Sequence, residues 1–201
     1  MKIRLHVLLR ATAIHAVAWF LVAAVTPAIG ADAETIKAKS QVCEACHGPS
    51  GNSTDPIVPS LAAQPKQFIT TQLVMYREGQ RKNVLMSAIA NGMTNPEIND
   101  YGTFFAAKKL QVTAPAMPAD KTALGRRMVE QFNCTQCHGP TLMGQQHIPR
   151  IAGQQVEYLR VQLRGFKAAT RFDMDGNMTA AAQALTPSDI DTLSDYLASL
   201  Q

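Results

Sequence analysis

Two pentapeptides carry the chemistry this sequence offers: Cys43-Glu44-Ala45-Cys46-His47 and Cys134-Thr135-Gln136-Cys137-His138. Two thiols three positions apart, followed at once by an imidazole, suit three uses: a redox disulfide, half of a zinc site, or the thioether anchors of a haem whose iron the histidine ligates. A thioredoxin-like disulfide belongs beside a βαβ pattern, which the sequence lacks. A zinc site needs further soft ligands, and beyond residue 30 the chain has no other Cys and only His147 besides. The haem reading fits the spacing. Cys43 and Cys46 reach the two vinyl groups on one haem edge, and His47 then lies under the macrocycle. Cys134, Cys137 and His138 do the same in the second motif. Two covalently attached haem c groups are the expected cofactors.

A sixth ligand has to come from elsewhere. The chain has nine methionines, and a methionine usually fills a core. Met75 falls inside a helical pattern and pairs with Gly165 in the repeat described below. Met93 pairs with Leu185, and Met128 lies on an apolar helix face. Only Met86 and Met178 recur as Met at equivalent positions, each seven residues before Met93 or Leu185. Each is read as lying in a loop before the last helix of its module. They are the expected axial ligands opposite His47 and His138, with Met174 the rival to Met178 and His147 a weaker option. Neutral His/Met ligation fills both axial positions and raises the reduction potential. It suits outer-sphere electron transfer and argues against an enzyme that binds substrate at iron. The other imidazole nitrogen should donate to a carbonyl, for which Pro59 and Pro149 are the candidates.

These residues sit in a tandem repeat. The Cys motifs are offset by 91 positions. Pro59-Ser60-Leu61-Ala62-Ala63-Gln64 matches Pro149-Arg150-Ile151-Ala152-Gly153-Gln154 at an offset of 90, as do Phe68/Tyr158, Gln72/Gln162, Tyr76/Phe166 and Arg81/Arg171. Met86/Met178, Thr94/Thr186 and Ile98/Ile190 follow at 92. The expected division is a module at 31–110, a proline-bearing linker at 111–120 and a second module at 121–201. Apolar spacing predicts helices over 35–46 and 122–137, running into each Cys motif, and over 65–78 and 155–168. Thr94 and Thr186, each with an acid three residues on, predict capped starts for the last helices. No segment alternates over strand length, so the fold class is all-α.

Residues 1–30 read as an export signal. Lys2, Arg4 and Arg10 precede an apolar stretch at 11–25, about 15 residues against the roughly 20 that span a bilayer. Small residues allow cleavage after Gly30 or after Ala33, and an uncleaved anchor is the competing reading. Export to the periplasm agrees with haem attachment of this kind. Without residues 1–30 the formal charge falls from +4 to +1. No polybasic run or aromatic-basic stripe is present, so nucleic-acid binding is excluded as a function class. Lys108-Lys109 and Arg126-Arg127, two adjacent cation pairs, read as solvated faces.

The ordered set C-x-x-C-H-G, P-x-[LI]-A-x-Q, an aromatic and Gln-Leu helix, Arg before the ligand Met, and a terminal Tyr-Leu helix resembles class I cytochromes c. More narrowly, it resembles the tandem di-haem periplasmic group with the subscript four. The resemblance covers 33–110 and 121–201. It implies two class I cytochrome c domains related by a pseudo-two-fold axis, each wrapped around one haem. It also implies an electron shuttle between a quinol-oxidising cytochrome bc complex and a terminal oxidase, peripheral to the membrane at most. The sequence departs from the family pattern where Arg81-x-Asn83 becomes Arg171-x-Asp173, with extra residues around Met174. The alternative reading is a di-haem subunit that accepts electrons from a dehydrogenase, such as a flavocytochrome c sulfide dehydrogenase.

Overall fold

The computed structural model describes residues 33–201; the export-signal reading of 1–30 lies outside them. Helices account for all the regular structure among the described residues, apart from one isolated bridge between Gln145 and Ile148. The first lobe holds α1 (Ala33–His47), α2 (Lys66–Arg77), α3 (Val84–Ala90) and α4 (Asn95–Ala106). The second holds α5 (Ala119–Gln131), α6 (Cys134–His138), α7 (Val156–Lys167), α8 (Asn177–Gln183) and α9 (Pro187–Ser199). In the first lobe α4 packs on α1 and α2, and α3 on α2. In the second, α9 packs on α5 and α7, and α8 on α7. The packing repeats with the sequence.

Two local readings need correction. The helix expected over 122–137 is broken: α5 ends at Gln131 and α6 begins at Cys134. Asn133 between them adopts a left-handed conformation, φ 53°, which Asn tolerates better than most side chains. In the first lobe the same run is one helix, α1. Second, Met86 and Met178 do not lie in loops. They sit in the first turns of the short helices α3 and α8. Seven residues span barely two turns, too few for an apolar period to register.

The expected capped starts are present as full capping boxes. Thr94 Oγ1 accepts from the Glu97 N–H and Glu97 from the Thr94 N–H; Thr186 and Asp189 do the same for α9. The terminal helix then buries Ile190, Leu193 and Leu197 beside Met128, Val129 and Leu159. A side chain at Gly125 would meet the Tyr196 ring, with an added Cβ 2.2 Å from Cγ, so α5 and α9 cross in contact only because this position is bare. Ile36, Ile69, Tyr76, Ile98, Tyr101 and Phe105 are buried in the first lobe.

The lobes meet through reciprocal hydrogen bonds. Gln64 Nε2 donates to the Arg150 carbonyl (2.9 Å) and Gln64 Oε1 accepts from the Arg150 N–H (3.0 Å). Gln154 Nε2 donates to the Ser60 carbonyl (2.9 Å) and Gln154 Oε1 accepts from the Ser60 N–H (2.7 Å). Equivalent residues thus exchange equivalent bonds, the signature of a two-fold contact. The stretch between α4 and α5 is tied to this seam. The Gln111 N–H donates to Asn52 Oδ1, and Gln155 Nε2 reaches both the Ser53 carbonyl and Thr113 Oγ1.

The α4 capping box makes stability depend on pH. Hydrogen bonds from the Thr94 backbone, then the bond and charge of Lys39 Nζ at 3.0 Å, hold the Glu97 carboxyl at about 2, below its ordinary 4.5. A carboxyl depressed in the folded state stabilises above its unfolded pKa, and that stability is lost as pH falls through the folded value. Wild type should therefore exceed Glu97→Gln in denaturation midpoint above pH 4.5, and the gap should close as pH approaches 2. Urea titrations of both proteins across that window measure it.

Candidate haem sites

Each Cys motif occupies the last turn of a helix. Cys43, Cys46 and His47 lie at i, i+3 and i+4 of α1, on one face. The five residues of α6 repeat the arrangement with Cys134, Cys137 and His138. Cys43 and Cys134 are half-buried, Cys46 and Cys137 exposed. Burial, reinforced by Glu44, pushes the Cys43 thiol up to about 11, and burial likewise raises Cys134. After His47 the chain turns sharply at Gly48 (φ 78°), where an added Cβ would stand 2.0 Å from the Asn52 carbonyl oxygen. Any other residue there would push the 49–53 turn away from the motif.

His47 and His138 are 7% and 5% exposed, the two most buried imidazoles among the described residues. His47 Nδ1 lies 2.7 Å from the Pro59 carbonyl and His138 Nδ1 lies 2.8 Å from that of Pro149, the two carbonyls expected from sequence. A carbonyl only accepts, so Nδ1 carries the proton in both rings. Burial lowers both imidazole pKa values, and the carbonyl bond opposes it. The rings are therefore neutral, fixed in orientation, and left with an Nε2 lone pair for a metal.

Met86 and Met178 are brought to matching places despite the insertion. Asn83 caps α3, its Oδ1 accepting the Met86 N–H at 2.9 Å. In the second lobe Asp173 takes this part: Oδ2 accepts the Met178 N–H at 2.8 Å, and Oδ1 accepts from the Thr179 N–H and hydroxyl. The extra residues bulge out between Asp173 and Met178 while the cap-to-methionine bond is kept. Met178 is half-buried like Met86, whereas Met174, on the bulge, is 70% exposed. His147 stands half-exposed with Nε2 3.6 Å from Asp175 Oδ2. Met75 and Met128 are buried in the lobe cores.

One feature escaped the sequence. Arg81 and Arg171, noted there as repeat partners and as the Arg before the ligand Met but with no role, are largely buried near each other. Arg81 donates to Gln72 Oε1 (2.5 Å), the Tyr158 hydroxyl (3.1 Å) and Gln162 Oε1 (3.1 Å), and Arg171 to the same Gln162 oxygen. Every one of these partners is neutral. Burial, with Tyr158 opposing it and Arg81 adding to it, pushes Arg171 down to about 10, and its Nε has no hydrogen-bond partner. Two largely buried guanidinium groups without a carboxylate suit an anion, and haem propionates are anions. The readable signal was an Arg at equivalent positions of both repeats, close before the methionine.

Residues 122–201 match the Cytochrome c family. The chain is 32% identical over 179 residues to cytochrome c4 of Pseudomonas aeruginosa, covering 84% of this chain and 89% of that protein. It is 40% identical over 181 residues to the thiosulfate dehydrogenase electron acceptor of Stutzerimonas stutzeri strain A1501, 80% of each being covered. Among solved structures, reduced recombinant cytochrome c4 from Pseudomonas stutzeri superimposes with a TM-score of 0.76 at 27% identity, over 85% of this chain and 99% of that one.

Asp173 is the test of the second methionine's placement. Asp173→Ala removes the acceptor for the Met178 and Thr179 amides and should cost about 1 kcal/mol, the usual loss for a helix cap. Asp173→Asn keeps an acceptor, as Asn83 does in the first lobe, and should recover most of it. Thermal unfolding of the three holoproteins measures both.

Proposed function

The chain belongs to the cytochrome c4 family, as a di-haem electron-transfer protein of two class I cytochrome c domains with two covalent haem c groups, and from that premise we propose how its residues hold the haems and whom it serves. Cys43 and Cys46 bind the first haem and Cys134 and Cys137 the second. His47 with Met86, and His138 with Met178, ligate the two irons. Arg81 and Arg171 neutralise the propionates. When bound, each haem supplies a one-electron iron couple.

The chain's own groups do the rest. Pro59 and Pro149 hold the imidazoles in one tautomer, with Nε2 unprotonated. Asn83 and Asp173 hold the methionine-bearing helices by their first amides. With imidazole on one side and thioether on the other, no axial position is left for a substrate, so the protein is a carrier, not an enzyme. The single observation behind this reading is the matched pair of buried imidazoles, each donating Nδ1–H to a proline carbonyl. It supports a ligand geometry that stays unchanged as an electron enters or leaves.

Residues 1–30 direct export to the periplasm, ahead of modules at 31–110 and 121–201. Among the described residues, no helix is long and apolar enough to cross a membrane. There the protein carries electrons from a quinol-oxidising cytochrome bc complex to a terminal oxidase. A second reading, acceptor from a dehydrogenase, is favoured by the 40% identity to a thiosulfate dehydrogenase electron acceptor. Stopped-flow reduction separates them. Rapid reduction by quinol with the bc complex, and slow reduction by thiosulfate with its dehydrogenase, supports the shuttle; the reverse order supports the acceptor.

The ligand set is tested by substitution. Met86→Ala and Met178→Ala should each remove about half of the far-red charge-transfer band of thioether-ligated ferric haem and lower that lobe's potential. Met174→Ala should leave the spectrum intact. A band lost in Met174→Ala and kept in Met178→Ala would reverse the second assignment.

A further inference from the structure

The interface glutamines do more than join the lobes. The carbonyl of Pro59 and the N–H of Ser60 belong to one peptide group. Its oxygen accepts the His47 Nδ1–H at 2.7 Å, and its N–H donates to Gln154 Oε1 at 2.7 Å. Gln154 lies in the other lobe. The peptide of Pro149 and Arg150 is the mirror case: its oxygen accepts the His138 Nδ1–H at 2.8 Å, and its N–H donates to Gln64 Oε1 at 3.0 Å. Ser60, Gln64, Arg150 and Gln154 are all 3% exposed or less, so water does not compete for these bonds.

Hydrogen bonds in series polarise one another, and more so where water is excluded. An acceptor placed on a peptide N–H draws electron density toward the carbonyl oxygen, making that oxygen a stronger acceptor. A stronger acceptor on Nδ1–H gives the imidazole more anionic character and makes Nε2 more basic. A more basic ligand favours the ferric state. We propose that Gln154 tunes the haem of the first lobe, and Gln64 the haem of the second, each through the peptide that orients the other lobe's axial histidine. Gln154 and Gln64 are positioning residues; neither reaches a haem ligand directly. The inference rests on the reading of His47 and His138 as axial ligands.

Two local details show that the relay is built rather than incidental. Each glutamine spends both ends of its amide on the same residue of the other lobe, accepting from its N–H and donating to its own carbonyl. This two-point grip holds the N–H of the relaying peptide and the carbonyl of the peptide that follows it. In the first lobe the glutamine and its partner are also held in place by neighbours. The Gln155 N–H donates to Gln154 Oε1 at 2.9 Å, and Arg150 Nη2 lies 3.2 Å from the Ser60 carbonyl. The consequence is a redox dependence that crosses the seam: each lobe's potential reads whether the other lobe is docked.

The test uses full-length holoprotein, with the two potentials resolved by optical titration and the His Nδ1–H resonances followed by NMR. Gln154→Leu withdraws the acceptor from the Ser60 N–H. It should favour reduction of the first lobe's haem by about threefold, about 30 mV upward at 59 mV per tenfold for one electron. The His47 Nδ1–H resonance should move upfield, with the second haem and His138 unchanged. Gln64→Leu should do the opposite, raising the second haem and moving His138 alone. Gln154→Asn keeps an amide but draws it back by one methylene, and should act like Gln154→Leu if that variant folds poorly. A shift in the substituted residue's own lobe, an equal shift in both, or none in either overturns the relay. An intact far-red band in the unmodified protein establishes the ligand reading separately, so that failure of the relay and failure of the ligand assignment leave different records.

Discussion

The structure depends on one hydrogen bond made twice, from a buried histidine Nδ1–H to a proline carbonyl. Without it a neutral imidazole could place its proton on either nitrogen and rotate about its side-chain torsions. With it the ring has one tautomer and one orientation, and a lone pair faces away from the carbonyl. Everything around serves that bond. The α1 and α6 helices end on the histidine, Gly48 turns the chain back, and the proline-led loops return to the ring. Those same loops form the seam between the lobes, so the group that orients each histidine is also the group that the other lobe grips.

The seam between the lobes is polar. Glutamines, serines and Arg150 are buried there, with Arg81 and Arg171 half-buried beside them, and burial of Arg150 alone pushes its guanidinium down to about 10. Arg150 answers with backbone carbonyls: that of Ala152 and, across the seam, that of Ser60. Arg81 and Arg171 have only amide and phenol oxygens. Charge buried without a counter-charge is costly, and the anionic propionates of the haems would offset it. The same haems also supply apolar contacts that cores of this size, with aromatics at 6% of residues, would otherwise lack.

The two lobes are copies with different local solutions. One continuous helix carries the first Cys motif, while a left-handed Asn133 interrupts the second. Asn83 caps the first methionine helix directly, while Asp173 reaches over a bulge to cap the other. Each change is absorbed next to where it occurs: each imidazole keeps its carbonyl, and each methionine keeps a side-chain acceptor on its amide. The surface is less informative. Each module carries eight basic and seven acidic residues, and Lys108 of one cation pair lies over the Phe104 ring, a local contact. Charge therefore identifies no partner, and the relatives point to redox proteins of more than one kind.

Much of this was legible in order and spacing alone. C-x-x-C-H is a contiguous pattern whose chemistry is fixed by local helix geometry, and a repeat at offsets of 90 to 92 positions marks two copies of one module. The proline carbonyls, the capping boxes and the longer helices follow from short-range rules. What the sequence could not decide depends on groups far apart along the chain. A seven-residue helix has no period to read, so α3 and α8 passed for loops. The break at Asn133 is a choice between neighbouring backbone states that packing makes. Asp173 closes over the extra residues by Met174 and accepts the Met178 amide, a contact that spacing alone does not predict. The pairing of Gln64 with Arg150 and of Gln154 with Ser60 spans 86 and 94 positions. A glutamine in a repeat motif names no partner until the lobes are docked.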